Sequence, residues 1–260
     1  LAEELRKEYF PRVTFTNLPA FYNNSDYIEV LSKSINEKLV GLDYEHLLFS
    51  YHGVPERHIR KSDITKSHCK IDGSCCKTPS AAHQYCYRHQ CYETTRLVAE
   101  KLNLKDDTYS TSFQSRLGFD PWLQPYTDRT IERMGKQGIK KMAIVTPAFV
   151  SDCLETLEEI AMEGEEIFHE VGGKEFTTIP CLNDRDDWAG LLADWIKNWV
   201  EQNIDSLTIF VTQEDLPYEL LQEIESLSGS WGGVDPSEGS FINKAMEKQI
   251  AEDKKRRQCE

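Results

Sequence analysis

The chain has 260 residues, 39% hydrophobic and 28% charged, enough for one large domain or two small ones with a sizeable core. Its 44 acidic against 30 basic residues give a net charge of −14, which leaves nothing to neutralise a run of phosphates and excludes nucleic acid as a partner, while a cationic or metal-bearing ligand suits the balance. No stretch approaches the roughly 18 apolar residues of a membrane span, and the opening LAEELRKEYF is amphipathic and charged rather than a signal peptide, so the expected compartment is the cytoplasm, with peripheral membrane association at most.

The chain opens on Leu1, which predicts a processed or truncated protein. In chain order, RVTFTNL (12–18) reads as a strand and 26–40 as a helix. HLLFSYH (46–52) is an apolar, β-rich run that ends on polar residues. An irregular, cysteine-rich insert occupies about 58–91, and its end merges into a helix over 88–102. TYSTSF (108–113) is strand-like, 127–137 helical, KKMAIVTPAF (140–149) a buried strand and 152–168 a helix. EFTTIPC (175–181) is a strand and 186–200 a Trp-rich helix. Such alternation predicts an α/β, Rossmann-like domain: a parallel sheet covered by helices on both faces, spanning residues 1–203. Its working residues belong at the carboxyl ends of strands. Residues 204–260 stay unassigned; SLTIFVT (206–212) reads as a strand, 216–227 as a helix, and the end as a charged helix or tail.

Four features could carry chemistry. His52 in FSYHGVPERH follows a buried strand, and Gly53 and Pro55 end that strand, leaving the imidazole at the sheet edge to take a proton or bind a metal; a hydrogen-bonded core histidine is the alternative. In SDCLETLEEIAMEGEE (151–166), Ser151 or Asp152 suits the N-cap. Cys153, Leu154, Leu157, Ile160 and Ala161 form the expected buried stripe, and Glu155, Glu159 and Glu163 share another face, running roughly 12 Å along the axis. The segment holds seven acids and no Lys or Arg. Like charges at i+4 repel, so the row is either a solvated face or a path for a divalent cation.

SFQSRLGFDPWLQPYTD (112–128) brings Phe113, Phe119, Trp122 and Tyr126 beside Ser112, Gln114, Ser115 and Arg116. Apolar walls with one guanidinium suit a flat macrocycle bearing carboxylates, or a packed loop. Lastly, five of eight cysteines, Cys69, Cys75, Cys76, Cys86 and Cys91, fall within one segment. Four thiolates there fit an iron–sulfur cluster or a zinc ion, the latter kept open by His68, His83 and His89.

FSYHGVPERH, TSFQSRLG, PWLQPYTD and AFVSDCLETLEEI, in this order, resemble the catalytic half of the ferrochelatase family, whose members insert ferrous iron into porphyrin (protoporphyrin IX or coproporphyrin) to make haem. The resemblance runs from residue 1 to about 200 and implies a chelatase-type lobe. It implies His52 and Glu155 as catalytic residues, Glu159, Glu163 and Asp152 along a metal or proton path, and Ser50, Tyr51, Gln114, Ser115, Arg116 and Trp122 as porphyrin contacts. It also raises a [2Fe–2S] cluster above zinc for the cysteine segment, on Cys69, Cys76, Cys86 and Cys91 with Cys75 as alternate. Partners implied are porphyrin and ferrous iron as substrates. The family's other lobe lies outside the resemblance, so a homodimer or pairing with a separate first lobe is expected, and a porphyrin-, haem- or metal-binding half-protein without turnover is the alternative function.

Overall fold

Two apolar central strands, HLLFSYH and KMAIV, buried along nearly their whole length, set the architecture, with two more polar strands at the edges. The computed structural model describes Lys7, Pro11 and residues 18–202 apart from Phe119. The expected strand over 12–18 (save Leu18), the expected elements at 206–212 and 216–227, the charged end and Phe119 lie outside the described residues. The chain divides into Pro19–Lys197 and a second unit formed by Leu1–Leu18 with Asn198–Glu260. The account below concerns Pro19–Lys197.

Strands β1 (His46–His52), β2 (Tyr109–Gln114), β3 (Lys141–Val145) and β4 (Glu175–Ile179) form one parallel sheet in the order β2-β1-β3-β4. β1 is central, and HLLFSYH is buried along all but its last residue, as a strand covered on both faces must be. Its period of two then divides the core. Leu47, Phe49 and Tyr51 pack with Ala143, Val145 and Ile179 against α1 (Ser25–Leu39), α3 (Tyr87–Lys101) and Trp188 of α6 (Asp186–Gln202). Leu48 packs on the other face with Met142 and Ile144 against α4 (Thr127–Lys136) and α5 (Gly164–Glu170). Leu47, Leu48, Phe49 and Ile144 are wholly buried, each contributing about 1.5–3 kcal/mol of apolar burial. Asn24 caps α1, its Oδ1 accepting from the amides of Asp26 at 3.0 Å and Tyr27 at 3.1 Å.

The expected α/β fold is therefore present. Two elements differ. β3 stops at Val145, because Pro147 cannot continue a ladder. The helix expected over 152–168 is a π-helix over Glu155–Glu163 running into α5. A short helix, α2 (Glu56–Ser62), opens the insert. Among the described residues no helix is long and apolar enough to cross a membrane.

Candidate functional site

β1 and β2 end side by side, with His52 opposite Gln114. The amide of Gly53 donates to the Gln114 carbonyl at 2.7 Å, and a Cβ on Gly53 would sit 2.9 Å from that oxygen and 3.3 Å from Trp122. Only glycine lets the chain pass there. The turn fixes His52: its Nδ1 lies 2.6 Å from the Gly53 carbonyl. A carbonyl only accepts, so Nδ1 carries a proton, and in the neutral imidazole the lone pair is then on Nε2. Phe149 and Trp122 flank the imidazole, with ring centres 6.0 and 6.4 Å away. His52, Gln114, Ser115, Arg116, Trp122, Glu155, Glu159 and Glu163 all line one cleft of about 510 Å³, within the usual range for small-molecule sites.

The π-helix supplies the acidic wall. Its i→i+5 ladder widens each turn, so residues four apart run almost along the axis. Thr156, Ile160 and Gly164 point into the core, and Glu155, Glu159 and Glu163 form the adjoining row. This corrects the expected stripe: Ile160 is buried, but Leu154 and Leu157 are 70% and 56% exposed and Cys153 and Ala161 only half-buried, because that stripe assumed the α-helical repeat. A hydrogen bond from Cys153, then one from its own backbone, and the nearby His52 hold the Glu155 carboxyl below its ordinary range against a smaller opposing effect of burial. Glu159 is fully engaged, its carboxylate accepting from the Ser115 amide at 2.7 Å and from the Ser115 hydroxyl. Ser115 sits at φ 61°, a left-handed conformation that a non-glycine residue holds only when its surroundings impose it.

The remaining expected site residues are spread across several settings. Ser50 and Gln114 lie beneath the cleft in a buried polar network: the Ser50 hydroxyl donates to Gln114 Oε1 at 2.6 Å, and Thr127 Oγ1 is 2.8 Å from Ser50 and 2.9 Å from Ser112. Gln114 Nε2 is buried without a partner among the described residues, an unsatisfied donor at the wall of the cleft. Tyr51 points to the opposite face of the sheet, with its hydroxyl 2.9 Å from that of Thr95. Arg116 grips Asp128 through both guanidinium arms, at 2.8 and 3.3 Å, and lies 4.4 Å above the Tyr126 ring. Asp152 is an anchor at the head of the π-helix. It accepts from Asn183 at 2.6 Å, Thr156 at 3.0 Å and the Cys181 amide at 3.3 Å. Burial opposes its charge, but these donors outweigh burial and hold its carboxyl below the usual range. Sequence reasoning missed Phe149, Asp128 and Thr127; the last two stand in the quoted PYTD motif, the first in TPAFV.

The cysteine segment is built differently, from side chains that bond the main chain. Asp63 gathers the amides of Thr65 at 2.9 Å, His68 at 2.9 Å and Cys69 at 2.8 Å on its two oxygens. Buried Arg88 donates to the carbonyls of Ile71, at 2.6 Å, and Lys70. The thiols of Cys69 and Cys76 hydrogen-bond to Cys86, which draws the Cys86 thiol toward its thiolate form and pushes that of Cys76 up. Cys75 Sγ receives the Lys70 amide at 3.2 Å and Arg88 at 3.4 Å. Cys91 lies instead among Tyr27, Tyr51 and Tyr87, its thiol driven up by burial. The donor chemistry suits an iron–sulfur cluster, with thiols in mutual contact and N–H groups aimed at sulfur. Yet among the described residues no three His, Cys, Asp or Glu side chains are arranged to hold a metal ion.

The ferrochelatase family profile matches residues 1–200. A ferrochelatase of Opitutus terrae is 46% identical over 191 residues, covering 74% of this chain and 55% of that protein. One from Pseudomonas fluorescens strain Pf0-1 is 47% identical over 182 residues, 70% of this chain and 53% of its own length. One from Bdellovibrio bacteriovorus is 40% identical over 198 residues, with coverage of 76% and 58%. The chain spans about half the length of these curated relatives, and on the match to residues 1–200 it belongs to the ferrochelatase family.

Proposed function

We propose that this chain carries the catalytic half of a ferrochelatase and that its cleft inserts ferrous iron into a porphyrin. The observation that carries the reading is His52, its Nδ1 committed to Gly53 and its ring lining the cleft together with Glu155, Glu159 and Glu163. Metal insertion expels two pyrrole protons and needs no redox step. His52 Nε2 accepts the two pyrrole protons in turn or meets the incoming ion, and Glu155, already ionised, supplies counter-charge and passes each proton on toward Glu163. Trp122 offers an apolar wall, Gln114 Nε2 a donor, and Arg116 a guanidinium for a porphyrin carboxylate. The test is insertion of ferrous iron or zinc by this chain, alone and with a first lobe added, beside His52→Ala. Loss of about 100–10,000-fold is expected; an unchanged rate in both settings removes the assignment.

The reading includes a [2Fe–2S] cluster on Cys69, Cys76 and Cys86, with Cys75 as fourth donor in preference to Cys91. The N–H groups on Cys75 sulfur and the Arg88 charge beside it support this choice. When bound, a cluster supplies a thiolate-held staple for the segment. Iron and sulfide content with the visible spectrum test it: Cys75→Ser loses the chromophore and Cys91→Ser keeps it, and the reverse result restores Cys91. Seven unpaired thiols among the described residues suit a reducing compartment, so a cytoplasmic setting is part of the proposal.

A further inference from the structure

Three donor atoms from three turns of the insert converge, and the proposed chemistry uses none of them. His68 Nε2 lies 3.3 Å from His83 Nε2, His68 Nε2 lies 3.1 Å from the Cys75 carbonyl oxygen, and His83 Nε2 lies 3.3 Å from that same oxygen. As hydrogen bonds these contacts are frustrated. The carbonyl brings no proton, and two neutral imidazoles cannot satisfy one another and the carbonyl together. As ligands they fit. A tetrahedral ion with bonds of about 2.0–2.1 Å to nitrogen or oxygen separates neighbouring donors by about 3.3–3.4 Å, close to all three observed edges.

The donors are also held in place. Asp63 and Thr65 accept from the His68 amide at 2.9 and 3.1 Å. His83 stacks on His89 with ring centres 3.6 Å apart and planes within 13°. The Cys75 carbonyl sits in a 3₁₀ turn, Ser74–Lys77. His83 borders a solvent-open depression of about 870 Å³, which gives an ion and a fourth, water ligand a way in.

We propose that His68, His83 and the main-chain oxygen of Cys75 form a thiolate-free site for a divalent cation of the zinc class. It lies outside the His52 cleft, takes no thiol as a ligand, uses Cys75 only through its backbone, and ties together three turns that share no secondary structure. The third ligand is main chain, so the site is compatible with the lack of any three converging side chains among the described residues. It stands whether or not the cleft inserts metal.

The test is cobalt(II) titration of the full chain, chelator-treated and kept reduced, in a His52→Ala background that silences the cleft. Visible spectra are compared with and without His83→Ala. The difference should hold one equivalent of tetrahedral cobalt bands and no thiolate-to-cobalt charge transfer. His68→Ala, which removes a different donor, should lose the same bands, whereas Cys69→Ser should keep them. An empty difference spectrum overturns the proposal, and so does one carrying the thiolate band. Two histidine variants that remove different bands point to misfolding of each rather than a shared ion, and also overturn it.

Discussion

The His52 cleft and the cysteine–histidine segment occupy one chain but are held by opposite means. The cleft stands on strand ends whose positions are fixed by main-chain ladders and a closed apolar core on both faces. Its side chains are then locked by a few bonds: Nδ1 of His52 to Gly53, and Glu159 to Ser115. The segment from Asp63 to Cys86 has two 3₁₀ turns and no strand. Its order comes from a carboxylate gathering amides and an arginine gathering carbonyls. A scaffold of ladders spreads its stability over many groups, and a scaffold of hubs concentrates it in one or two. Substitution at the cleft should therefore be felt through the sheet that carries it, and in the segment only where the hub's own bonds run.

The largest effect that sharpens this contrast is Gly53→Ala. The added Cβ meets a backbone carbonyl that cannot yield, so a loss of about 1–3 kcal/mol is expected in thermal or denaturant unfolding, with His52 displaced and insertion lowered. An unchanged melting temperature would show that the two strand ends part easily. Next is Glu159→Gln. One acceptor oxygen remains for Ser115, so stability falls by about 1 kcal/mol and insertion falls less than in Glu155→Gln. An equal fall would mean that Glu159 carries charge for the reaction and is more than a clamp on the left-handed turn.

Asp63→Asn is the smallest in global stability and the most local. Hydrogen exchange should quicken at the amides of Thr65, His68 and Cys69 and stay unchanged in β1 and β2; quickening in the strands would erase the distinction between hub and ladder. The same carboxylate sets an acid limit. Hydrogen bonds from the Cys69 amide and Thr65, among others, hold it well below the usual carboxylate range despite an opposing effect of burial. A depressed group contributes stability that is fully present above its unfolded value and lost only as pH falls through the folded value. Segment order should thus survive acidification past the point where ordinary carboxylates protonate, and exchange at the same amides read against pH checks it.

Much of this was readable from the residues. Apolar runs mark β1 and β3, β-rich composition marks β2 and β4, and the polar end of β1 marks the edge where His52 stands. The parity of β1 also held information that went unused: with a period of two, Ser50 and His52 share a face and Tyr51 must take the other, where its hydroxyl meets Thr95. The acidic row was visible as an i+4 file, but nothing local separates an α-helix from a π-helix in ETLEEIAME, since both bring residues four apart together. Which row is buried is decided by packing of Ile160 and Gly164 against the sheet. The Glu159–Ser115 bond, 44 residues apart in sequence, exists only once β2 and the π-helix have docked.

The widened helix also has a phase. Each residue of an ordinary α-helix turns the chain by about 100°, and a π-turn absorbs one extra residue without passing that rotation on. Remove a single residue between Glu155 and Glu163 and the ladder can close as an α-helix with everything downstream in its old phase, so α5 keeps Phe168 and Gly164 in the core. What changes is the spacing inside the segment, where one of the two four-residue steps of the acidic row becomes three and Glu159 shifts against Ser115. The acidic row and the seating of α5 are thus set separately, and the spare residue in Glu155–Glu163 spaces the row without turning α5.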